Sequence, residues 1–94
     1  MIEQKKVFVA SVHGEFEDDS YFNIVGVFKS KTTAMNQLKQ AMQKVMLDRQ
    51  EDYPQNSLSW NSDDNTIAVT GDEDEGTILG GLLLLGTVEK YKIV

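Results

Sequence analysis

The run Tyr21-Phe22-Asn23-Ile24-Val25-Gly26-Val27-Phe28-Lys29-Ser30-Lys31 constrains this chain more than any other part of it. Tyr21 to Phe28 is rich in aromatic and β-branched residues and reads as a buried-type β-strand. It runs straight into Ser30, whose hydroxyl can accept from an orphan N–H in the first turn of a helix. Before Ser30 the apolar residues have strand period, and after it they have helical period.

The helix is predicted from Lys31 to about Gln50. Ala34, Leu38, Ala41, Met42, Val45 and Met46 form one apolar stripe, and Asn36, Lys39, Gln40, Gln43 and Lys44 occupy the opposite face. Such a helix lies on a sheet. Pro54 blocks any helical continuation.

Upstream, Lys5 to His13 reads as a first strand. Val7, Val9 and Ser11 lie on one side, and Phe8, Ala10 and Val12 on the other. Both faces are largely apolar, which suits a central strand. The acidic connection from Gly14 to Ser20 makes a hairpin with Tyr21–Phe28 the simplest pairing. Gly26 inside that strand marks a bulge or a close backbone approach. Downstream, Ser57–Asn61 and Thr66–Thr70 are two more strands, joined by a Ser62-Asp63-Asp64-Asn65 loop. Leu82 to Val94 reads as a last long strand, with Leu82–Leu85 buried on both faces. Thr77–Gly81 fits either a turn or the start of that strand. The expected architecture is one α+β domain over residues 1–94, of ββαββ(β) order. A mostly antiparallel sheet of four to five strands carries one long helix on one face.

The chain has 94 residues, of which 40% are hydrophobic and 26% charged, so one modest core is expected rather than disorder. It has no cysteine, which excludes disulfides, thiolate metal sites and cysteine nucleophiles. This suits a cytoplasmic protein. A net charge of −6 disfavours direct nucleic-acid binding and favours a basic partner. Met1 to Gln4 leads into Lys5-Lys6 and a strand, so no signal peptide is expected. The longest greasy segment, Ile78 to Leu85, is far short of the ~20 residues that cross a bilayer.

Few residues point to chemistry. His13, the only histidine, lies near Glu15 and Glu17, as a general base with a carboxylate partner would, but no nucleophile motif accompanies it. Glu15, Glu17, Asp18 and Asp19 form one acidic cluster, and Asp72, Glu73, Asp74 and Glu75 a second. The second lacks the EF-hand pattern and reads as a solvated loop. The first lacks the apolar burial that separates the pKa values of paired carboxylates. Met35, Met42 and Met46 line the helix and read as core packing rather than as a binding groove. Gly80-Gly81 is followed by no Lys-Ser/Thr and is not a phosphate loop. No catalytic residue, metal site or cofactor is expected.

The segment Val7-Phe8-Val9, an acidic loop, Ile24-Val25-Gly26-Val27-Phe28-Lys29-Ser30 and a helix bearing Ala34 resembles a group of small bacterial and phage-associated domains. The resemblance covers roughly residues 5 to 45. It is mostly structural and implies no activity or catalytic residues.

Phe8, Phe22, Trp60 and Leu82–Leu85 offer more apolar surface than one helix can bury. The expected function is therefore a non-enzymatic interaction protein that associates with itself. The two acidic clusters are the candidate interaction surface. One alternative is an acidic inhibitor that presents carboxylates to a basic, nucleic-acid-binding protein, as phage anti-defence proteins can. The other is a small enzyme using His13 with nearby carboxylates.

Overall fold

The computed structural model describes residues 5–16, 19–71 and 82–93. Five strands and one helix follow in the order β1 (Lys5–Glu15), β2 (Ser20–Phe28), α1 (Lys31–Asp48), β3 (Ser59–Ser62), β4 (Thr66–Thr70) and β5 (Leu82–Ile93). A 3₁₀ turn at Gln55–Ser57 precedes β3. The strands form one antiparallel sheet in the order β2-β1-β5-β4-β3, with α1 packed on one face. The α+β class and the element order agree with the sequence reading.

Hairpins join β1 to β2 and β3 to β4. The last strand inserts between them, with Ala10 opposite Val88 and Val69 opposite Leu84. The interior strands are therefore β1, β5 and β4, and the apolar content of β1 on both faces suggested its place among them. Among the described residues, no helix is long and apolar enough to cross a membrane.

Ser30 caps α1 as its sequence predicts. Its backbone is extended, at φ −124° and ψ 137°, and its side chain accepts from the Thr33 N–H at 3.4 Å. The helix ends at Asp48, two residues before Gln50, where the Arg49 N–H turns back to the Met46 carbonyl. Its fully buried residues are Ala34, Leu38, Met42 and Met46, a strict i, i+4 row. Ala41 and Val45, expected in the same stripe, are half-buried beside that row.

Opposite the row lie Ala10 and Val12 of β1, Ile67 and Val69 of β4, and Leu84 and Val88 of β5, all buried. Gly86 sits among them. A Cβ there would come within 2.8 Å of a Leu38 methyl and closer still to Met42 Sδ. The helix thus crosses the sheet over a position with no side chain, which lets its backbone approach closely.

Two register shifts complete the sheet. One falls between Ala10 and Ser11, where Gly26 pairs with Ala10 and Ile24 with Ser11, leaving Val25 as an extra residue in β2. This bulge is one of the two roles that Gly26 suggested. It lets Tyr21, Val25 and Phe28 pack toward the core while Phe22, Ile24 and Val27 share the opposite face. The other shift falls between Val69 and Thr70, opposite the leucine run. Leu83 and Leu84 are buried there, but Leu82 and Leu85 are only half-buried. The run is not buried on both faces, because no described element covers the side of the sheet away from α1. Phe8 and Trp60 pack against the core, so of the aromatic residues expected in excess only Phe22 stands in the open.

Candidate functional site

The two described acids of the β1–β2 connection, Glu15 and Asp19, lie apart. Glu15 ends β1 on the open face, where its Oε1 lies 3.4 Å from His13 Nε2. Asp19 is held from the other side of the sheet. The Arg49 guanidinium donates to both its carboxylate oxygens, at 3.2 and 3.1 Å. The same guanidinium stands 3.8 Å from the centroid of the Phe16 ring, which tilts against Tyr53 at 5.6 Å. Phe16 N–H also donates to the Asp19 carbonyl at 2.8 Å. Asp19 therefore helps fasten the loop to the end of α1. Glu17, Asp18, Asp72, Glu73, Asp74 and Glu75 lie outside the described residues. Among the described residues, no three His, Asp or Glu side chains are grouped to hold a metal ion.

His13 is exposed, and its ring meets Phe22 edge-on at 6.5 Å. The His13 and Glu15 side chains are both exposed, so neither is held in the low-dielectric site that tunes a group for acid–base work.

The open face presents a different kind of surface. Phe22 is 69% exposed, Val27 61%, Ile24 57% and Tyr91 50%. Val9, Ser11, Phe22, Ile24, Glu89 and Tyr91 line one shallow depression there, and Val27 pairs with Val9 at its side. Ser11 Oγ and Thr87 Oγ1 satisfy each other at 3.2 Å. The Tyr91 hydroxyl donates to Glu89 Oε2, and this bond to a carboxylate raises the phenol above its ordinary pKa.

Charge is distributed lengthwise. The register and the β2–α1 junction bring Lys6, Lys29, Lys31, Lys90 and Lys92 to one end of the sheet, where Asp63, Asp64 and Glu89 only partly offset them. Lys31 Nζ lies 2.8 Å from Asp64 Oδ2 and lowers the pKa of that carboxyl. Glu15, Asp19, Asp48, Glu51 and Asp52 collect at the other end, with Arg49 and Lys44 as described cations among them. The helix adds to this polarity. Its first turn holds no acid and its last turn no base, so neither end of its dipole is neutralised by its own side chains.

Sequence reasoning did not single out Arg49 or the exposure of β2. Arg49 meets Asp19 across 30 residues, a separation no local spacing rule covers. The exposure of β2 had a signal, because the strand has apolar residues on both faces and the one helix among the described residues can cover only one of them. Comparison with protein-family models, curated proteins and solved structures finds no match.

Proposed function

We propose that this domain works by binding rather than by catalysis, and that it associates with a second copy of itself through the β2 side of its open sheet face. The observation that carries this reading is the contiguous exposure of Phe22, Ile24 and Val27 on one strand. Monomers rarely leave large apolar patches in water, and self-association is the commonest way of covering them. The patch avoids the chain's own repulsion, because β2 carries none of the charges that make up the net −6.

A role as an acidic inhibitor keeps the net charge as its support, but Asp19 is occupied by Arg49 and Glu15 faces His13. Light scattering at micromolar concentration tests the proposal. A dimer mass is expected, and a clean monomer at tens of micromolar would overturn it.

A further inference from the structure

The two edges of this sheet are treated differently. β3 is four residues long and carries Ser59, Asn61 and Ser62, so it offers little to a new strand. β2 is nine residues long, from Ser20 to Phe28, and contains no charge and no proline. Natural proteins usually blunt such an edge with charged residues, proline, a short strand or a bulge. Of these, β2 has only the bulge at Val25.

From this asymmetry we infer that a second copy adds its own β2 alongside this edge, antiparallel, so that the two sheets become one continuous sheet. This rests on the self-association proposed above and gives it a geometry. Three observations select the occupant.

The first is charge along the strand. Like charges directly opposite each other destabilise a strand pair, and two copies of an uncharged strand create none. β1 and β5, by contrast, carry Lys6, Glu15, Glu89, Lys90 and Lys92.

The second is charge at the ends. A two-fold axis through an edge pairs the strands antiparallel. The Phe28 end, followed by Lys29, then lies beside the partner's Ser20 end, which follows Asp19. The contact repeats on the other side of the axis. Each basic end meets an acidic one, so the lengthwise polarity of the monomer becomes complementary in the pair.

The third is where the apolar side chains lie. Among the described residues, three of the five exposed large apolar ones, Phe22, Ile24 and Val27, are on β2 itself. With the axis near Ile24, that side chain lies beside the partner's Ile24, and Phe22 beside the partner's Val27. Each of these side chains then has a neighbour across the axis, and these cross-strand contacts cover flanks that the monomer leaves bare.

The experiment compares four chains by light scattering at tens of micromolar: wild type, Ile24→Lys, Ile24→Glu and Thr87→Lys. Circular dichroism checks that each is folded. Residue 24 is exposed in the monomer, so its replacement tests the contact more than the fold. Thr87 lies on the open face of β5, in the middle of the sheet and away from the β2 edge. Wild type and Thr87→Lys should be dimers. Each Ile24 variant should be a monomer, because it repels its own copy across the axis. An equimolar mixture of the two should regain the dimer mass. Amides of Ser20–Phe28 should exchange more slowly in the wild type than in Ile24→Lys. If Thr87→Lys is monomeric and Ile24→Lys dimeric, the copies meet face to face, and edge pairing falls while self-association stands. A mixture that stays monomeric overturns the axis near Ile24. A monomeric wild type overturns both proposals.

Discussion

Gly86 lies beneath Leu38 and Met42, and no atom larger than hydrogen fits between them. The helix seat is set by this contact, because α1 could not settle on the sheet with a side chain at that point. Gly86→Ala should therefore destabilise the domain by about 1–3 kcal/mol through overpacking. For a domain of this size that lowers the melting temperature by about 4–8 °C per kcal/mol. A melting temperature equal to wild type would mean that the helix seat is looser than these distances imply.

The buried row of α1 gives a paired prediction. Met42→Ala removes a fully buried side chain and should cost about 2–5 kcal/mol. Ala41→Asp places its carboxylate in the half-buried groove beside Tyr21 and Lys44, where water can reach it, and should cost clearly less. Urea unfolding of both variants checks the order. Ala41→Asp as the more damaging change would move the helix face by one residue.

The parts of the fold readable from sequence were those fixed by neighbouring residues. The strand ending at Phe28, the Ser30 cap and the row from Ala34 to Met46 depend on contacts within a few positions. Gly26 carried a bulge signal for the same local reason. The place of β5 between β1 and β4 was not readable, because Ala10 and Val88 meet across the length of the chain and strand period does not choose a partner. Leu82–Leu85 looked buried on both faces from hydropathy alone. Whether a second layer covers a sheet depends on what the rest of the chain can supply. The acidic residues of the first loop looked like one cluster for a related reason. Residues close in sequence can be held on opposite sides of a sheet, and Glu15, beside His13, and Asp19, held by Arg49, are so placed.

The Arg49 clasp should matter modestly. Arg49→Ala removes a contact with the Phe16 ring and a bidentate contact with Asp19. Both lie near the surface, where such pairs contribute little, so together they should amount to about 1 kcal/mol. Arg49→Lys should recover less than half of this, since an ammonium cannot make the two-pronged contact. Thermal unfolding of the two variants and of Asp19→Asn separates the ring contact from the carboxylate contact. An Asp19→Asn loss equal to that of Arg49→Ala would leave the ring with no share.

Calcium should change stability very little. The described residues include no three-carboxylate group, and the Asp72–Glu75 run has no EF-hand spacing. A specific site would raise stability by about 2.7 kcal/mol at a hundredfold excess over its dissociation constant. A rise of that order with calcium, absent with sodium at equal ionic strength, would overturn the reading of that run as a solvated loop.

The acid limb of the stability curve should carry the mark of one pair. Lys31 accepts no proton in this range, but its ammonium lowers the Asp64 pKa from the ordinary 3.8 by hydrogen bonding first and by charge second. A carboxyl whose pKa is lower when folded than when unfolded stabilises the fold at pH above its unfolded value. That contribution disappears as pH falls through the folded value, because both states are then protonated. Lys31→Gln should therefore be less stable than wild type at neutral pH and converge on it below the ordinary carboxylate range. Asp64 is fully exposed, so the difference is expected to be small and to shrink in high salt. Tyr91 behaves in the opposite sense. Its pKa is raised by the bond to Glu89, so that contribution is present below the ordinary phenol value of 10.0 and is lost as pH rises through the folded one. Chemical unfolding from acid to alkaline pH, with Lys31→Gln and Glu89→Gln beside the wild type, separates the two limbs. A Lys31→Gln deficit that persisted at the lowest pH would mean that Lys31 supports the helix start through packing rather than through its charge.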